Sequence, residues 1–188
     1  TLNSNIRLIK TGNIDEDLNV INKSEWVIEA IIENLNIKKD LYRKIDKIMK
    51  DELIISSNTS TIPIKLLSEG LSKKFKKNFL ITHFFNPPRY LKLLEIVESD
   101  DTKKGIVKKI IEFCDITMGK TVIETKDTPG FIGNRIGIFW VERAAVEAIK
   151  SDLTVEEADS VIMNVFKVPK TGVFGLIINS VLKIIDIN

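Results

Sequence analysis

The stretch THFFNPPRY, residues 82–90, holds His83, the only histidine of the chain, where an apolar run meets a double proline. Imidazole titrates near pH 6.5, so a positioned histidine can take or give a proton at about neutral pH. It does so best when a carboxylate holds one ring nitrogen, fixing the tautomer and raising the basicity of the other. Glu95, in the run KLLEIV beyond the prolines, can fill that role if its run folds back beside the histidine run. Asn58, Thr59 and Ser60 lie just past the end of another apolar run, and Asn134 follows DTPGFIG. Each residue also has a plainer reading: a hydrogen-bonded histidine at a strand end, a loop or cap serine, a glutamate on a solvated strand face, an exposed or helix-packing amide. Taken together, His83, Glu95, Ser60 and Asn134 point to proton transfer in a cleft between an α/β part and a helical part.

The elements that must position them follow from hydrophobic period. WVIEA (26–30), LIISSN (53–58) and FLITHFF (79–85) read as buried strands. Between the first two, Ile37, Leu41, Ile45 and Ile48 recur at helical spacing, and IPIKLLSEGL reads as a short helix. Strand, helix, strand, helix, strand predicts βαβ units and a parallel sheet. Ligands of such sheets sit outside the carboxyl ends of the strands, which places Asn58–Ser60 and His83 on one edge. NPPR is a turn, because proline fixes φ and pushes Asn86 out of helical space. KLLEIV is then a hairpin partner, a helix covers 102–117, and TVIET (121–125) closes the α/β part. Near residue 126 the pattern becomes all helical. Thr128 with Pro129 predicts a helix start, followed by an apolar stripe of Ile132, Ile136, Phe139, Val146 and Ile149. TVEEADSVIMNVF opens with a threonine cap and first-turn glutamates, and FGLIINSVLKII is strongly apolar.

Composition narrows the partners. With 28 basic and 26 acidic residues the net charge is +2, too weak a field to favour nucleic acid or a membrane surface. The cluster KKFKK (73–77) reads as a solvated connection. One cysteine, Cys114, excludes an internal disulfide and a cysteine metal cluster, and suggests a reducing, cytoplasmic setting. No apolar stretch approaches the roughly 20 residues of a membrane span.

SNTSTIPI, HFFNPPRYLKLLEI and DTPGFIGNRIG, in this order and spacing, resemble the L-3-hydroxyacyl-CoA dehydrogenases of fatty-acid β-oxidation, particularly the long bacterial form. The likeness extends upstream to VIEAIIENLNIKKDLY and covers most of residues 25–175. It implies NAD as cofactor, an acyl-CoA substrate, and a homo-oligomer in the full-length parent. By the same resemblance His83 is the catalytic base and Glu95 its partner, while Ser60 and Asn134 hydrogen-bond the substrate's reacting oxygens. Glu33, Lys38, Ser60 and Asn86 match positions at the NAD ribose and nicotinamide end, with Lys38 also near the CoA portion.

The chain also departs from the family pattern. No G-x-G-x-x-G turn occurs, the first residue is Thr1, and Val173 and Asn179 replace a glycine-proline pair's proline and an aspartate. The expectation is a fragment: a truncated Rossmann-like parallel sheet with an appended antiparallel strand (1–126), then a partial all-α C-terminal domain (127–188). Such a fragment is expected to bind NAD weakly, and a non-catalytic remnant that keeps only the fold and acyl-CoA or subunit binding is the second reading.

Overall fold

The computed structural model describes residues 3–166 and 172–177. Five strands, Trp26–Glu29 (β1), Ile54–Ser57 (β2), Phe79–Phe84 (β3), Leu93–Val97 (β4) and Thr121–Glu124 (β5), form one sheet in the order β1-β2-β3-β4-β5. β1, β2 and β3 are parallel, β4 runs antiparallel to β3, and β5 is parallel to β4. The Rossmann-like expectation holds, with two reversed strands rather than one.

Helix Ile14–Asp17 (α1) precedes the sheet between 3₁₀ segments Asn3–Leu8 and Leu18–Lys23. Leu35–Ile48 (α2) joins β1 to β2, and Ile64–Ser68 (α3) with Lys73–Lys77 (α4) joins β2 to β3. Lys104–Glu112 (α5), extended by a π-helical turn Phe113–Thr117, joins β4 to β5. One sheet face packs Tyr42, Ile45, Ile55, Phe75, Phe79, Ile81 and Val97, and the other packs Ile54, Leu80, Leu94, Ile96, Val107 and Ile110. Strands β1 to β4 face both sides because their side chains alternate, whereas β5 packs only Val122, against the second core.

α2 starts at Asn34, whose side chain accepts from the amides of Asn36 and Ile37. Its most buried residues are Lys38, Tyr42 and Ile45, so the inward face is turned from the predicted Ile37, Leu41, Ile45, Ile48 stripe, and Ile37 is exposed. A charged residue sits on the inward face because it finds a partner there, described below. KKFKK is not a connection but the helix α4, capped by the Ser72 hydroxyl on the Phe75 amide at 3.1 Å. Phe75 is buried against Tyr42 and Phe79 with centroids 5.5 and 5.0 Å away, while the four lysines stay outside the hydrophobic core. Burying such a ring stabilises by roughly 1.5–3 kcal/mol, enough to set the helix.

The chain divides into two compact units between Phe131 and Ile132. Thr128 does not start a helix: it accepts the Phe131 amide in a turn where Gly130 (φ 77°) and Phe131 (φ 44°) are left-handed. Helix therefore begins only at Gly133, and Gly133–Lys150 (α6) and Val155–Phe166 (α7) belong to the second unit. Thr154 and Glu157 form the predicted cap of α7, each accepting the other's amide. The α6 stripe is exposed at Ile132, Ile136, Phe139 and Ile149. Residues 172–177 are helical, with the amides of Val173 and Phe174 donated to Asp159. Asn179 and the rest of FGLIINSVLKII past residue 177 lie outside the described residues. No helix among the described residues is long and apolar enough to cross a membrane.

Candidate active site

β3 and β4 set the site by register. His83 and Glu95 are direct partners across the antiparallel pair, so their side chains leave the same face with Cβ atoms about 5 Å apart. Nδ1 of His83 lies 2.7 Å from Oε2 of Glu95. His83 is 6% exposed and Glu95 0%, so water screens the contact little. A carboxylate only accepts, so Nδ1 is the donor and Nε2 of the neutral ring keeps a lone pair for a proton. Phe85 and Phe131 flank the imidazole with centroids 4.6 and 5.6 Å away.

The loop after β2 is tied to both neighbouring strands. The Asn58 amide donates to the Glu29 carbonyl at 2.8 Å, and Asn58 Oδ1 accepts the Phe84 amide at 2.9 Å, next to His83. Ser60 is held through its main chain: its N–H donates to Glu33 Oε1 at 3.0 Å, and its carbonyl accepts from Gly130 at 3.1 Å. The same Glu33 oxygen accepts the Thr59 hydroxyl at 2.5 Å and both donors of Thr61 at 3.2 and 3.1 Å. Partial burial pushes the Glu33 carboxyl up, but hydrogen bonds from Thr59, the Ser60 amide and Thr61, with the Lys38 charge, outweigh it and leave its pKa below the ordinary value.

Lys38 does not present its ammonium to solvent. It is 1% exposed and donates to Glu29 Oε1 at 2.7 Å and the Ile31 carbonyl at 3.2 Å, with Glu33 Oε2 at 3.4 Å. Glu29 in turn accepts the Ile31 amide at 2.7 Å, the Tyr42 hydroxyl, and the Ser57 hydroxyl at 2.7 Å. Burial and the Glu29 charge push the Tyr42 phenol far up, so it stays a donor. Sequence reasoning missed Glu29, Tyr42 and Ser57. The signal present was one acid in a strand, facing Val27's side of the sheet, with Lys38 and Tyr42 one helical turn apart on the inward face of α2.

A model of the 3-hydroxyacyl-CoA dehydrogenase NAD-binding domain matches residues 3–128. The chain belongs to this family. A relative from Deinococcus radiodurans, named a probable 3-hydroxyacyl-CoA dehydrogenase, is 46% identical over 157 residues, 84% of this chain and 45% of its own length. The mouse mitochondrial hydroxyacyl-coenzyme A dehydrogenase is 33% identical over 141 residues, 75% of this chain and 44% of its own. Among solved structures, (S)-3-hydroxybutyryl-CoA dehydrogenase PaaH1 from Ralstonia eutropha superposes with a TM-score of 0.69 at 30% identity, covering 80% of this chain and 52% of that one. The chain spans less than half the length of these two curated relatives.

NAD is the cofactor of this dehydrogenase domain family, and the chain offers polar side chains at one sheet edge but no G-x-G-x-x-G turn for the pyrophosphate. The carboxyl ends of β1, β2 and β3 share an edge, where Glu33, Ser60 and Asn86 stand with polar groups outside the hydrophobic core. Asn86 is exposed at the start of the turn after β3. That turn is clamped by Lys120, whose ammonium donates to the carbonyls of Pro88 and, at 2.8 Å, Leu91. Lys120, buried, was also not singled out from sequence. Asn134 lies in the first turn of α6, half-buried, in the second unit. Among the described residues no group of acidic, histidine and cysteine side chains is arranged to hold a metal.

Proposed function

We propose that the protein carrying this chain oxidises L-3-hydroxyacyl-CoA to 3-ketoacyl-CoA in fatty-acid β-oxidation, with NAD as oxidant and His83 as base. The observation that supports this reading is the buried 2.7 Å contact between His83 Nδ1 and Glu95 Oε2, beside the loop that holds Ser60. NAD, when bound, supplies the hydride acceptor. His83 Nε2 takes the proton of the 3-hydroxyl, and Glu95 steadies the imidazolium that results. The Ser60 hydroxyl and the Asn134 amide are assigned to the reacting oxygen. Glu33 and Asn86 are assigned to the ribose and nicotinamide end, with Lys38 acting behind Glu33. General-base catalysis of this kind contributes about 10²- to 10⁴-fold. A homo-oligomer of the full-length parent, implied by the resemblance, and a cytoplasmic setting, suggested by the one cysteine, belong to the same reading.

The test is oxidation of NADH by acetoacetyl-CoA, the reverse direction, with purified wild type and His83→Gln. Turnover is expected to fall at least about 10²-fold with KM little changed, because His83, the proton donor in this direction, acts in the transition state. A wild type without turnover, or a loss carried by KM alone, overturns the assignment.

A further inference from the structure

A buried ion pair lies behind the loop that carries Ser60. Glu29 fills all its hydrogen-bonding directions with the Ile31 amide, Lys38, Tyr42 and Ser57, and both members of the pair have side chains 1% exposed. Pairs of this kind contribute little stability that apolar side chains of the same volume would not, so their use is more often one of position. Here the position is specific. Lys38 spans from Glu29 to the Ile31 carbonyl and to Glu33, and Glu33 is the one acceptor shared by Thr59, Ser60 and Thr61. Glu33 has 31% of its side chain exposed, so it links the interior to the ligand edge.

We propose that Glu29 and Lys38 are positioning residues which, acting through the Glu33 carboxylate, hold the Asn58–Thr61 loop in the shape the reaction uses. The inference rests on the reading of that loop as the ligand-facing edge. The chain of contacts runs from strand β1 through α2 to Glu33 and then to the Ser60 amide, every step within 3.4 Å. A Lys38 without Glu29 has no reason to stay inside, and a Glu33 without Lys38 loses the charge that fixes its other oxygen, so its hold on the Ser60 and Thr61 amides loosens.

Amide hydrogen exchange of the purified protein reads this without any ligand. In Lys38→Met and in Glu29→Gln the Ser60 and Thr61 amides are expected to exchange at least about tenfold faster, while the β3 amides of Leu80 and Ile81 keep their protection. In a Glu33→Ala background Lys38→Met is expected to add nothing further, since the path runs through Glu33. NADH affinity, measured by titration, is expected to fall in step with the lost protection. Unchanged exchange at Ser60 and Thr61 overturns the proposal, as does equal acceleration of Leu80 and Ile81, which would mark the pair as a core support only. Should either single variant not fold, the double variant Glu29→Gln/Lys38→Met, which leaves no charge at the fully buried pair, decides by the same criteria. A wild type with no dehydrogenase turnover defeats the functional reading alone, because the exchange result stands apart from it.

Discussion

Replacing Glu95 by glutamine changes one thing at the histidine: charge. The amide keeps the side-chain length, and its Oε1 can still accept the Nδ1 proton now donated over 2.7 Å. A hydrogen bond to a charged group is worth about 1.5–3 kcal/mol and a neutral one about 0.5–1.5 kcal/mol. With Glu95 fully buried the difference, roughly 1–1.5 kcal/mol, is not screened away. It applies to the imidazolium that forms as the proton moves, so it is a barrier term and slows turnover about tenfold. KM should stay near the wild-type value, because the ring is still held. The assay is steady-state oxidation of L-3-hydroxybutyryl-CoA by NAD, the direction in which the imidazolium forms, with a thermal melt to show the fold is kept. Turnover within a factor of two of wild type would mean that the Glu95 charge is not used. A loss confined to KM would move Glu95 from the chemistry to binding.

Tyr42→Phe keeps the ring contacts with Phe75 and Phe79 but removes the hydroxyl that donates to the buried Glu29. It should cost about 1.5–3 kcal/mol in urea unfolding, and a change below about 0.5 kcal/mol would refute the network's role in stability. Glu33 has a pKa lowered by folding, so its contribution is present above the unfolded value, about 4.3, and is lost as pH falls through the lower folded one. Wild-type Tm should therefore drop more steeply than that of Glu33→Gln below about pH 4.5, and parallel curves would contradict the shift.

Much of the fold was legible because it rests on period. β-branched runs gave the strands, and the double proline announced the return that sets Glu95 opposite His83. What failed were places where a partner far along the chain decides. Lys38 reads by resemblance as a ligand-contacting lysine until Glu29 is found beneath it, and no local pattern reports that. Phe75 turned a lysine run into a helix by reaching a core built from residues before and after it. The start of α6 was misread because Pro129 favours a first helical turn, whereas the left-handed φ at Gly130 and Phe131 forbids one there. Asn134 is picked out by its place after DTPGFIG and by the resemblance, and its unit is distinct from that of His83.

The antiparallel return of β4 also sorts the accidents of copying. The chain leaves the sheet after Phe84 and re-enters at Leu93, so residues 85–92 lie outside the ladder. A codon gained or lost in that stretch shifts Asn86 or the carbonyls clamped by Lys120, and the closure entropy changes only slowly with length. His83 still meets Glu95. A codon gained inside either strand, between the pair and the rest of the ladder, turns one of the two side chains to the face lined by Leu80 and Leu94. Lineages of this gene can thus drift in length at the turn, while the strands on either side must keep count.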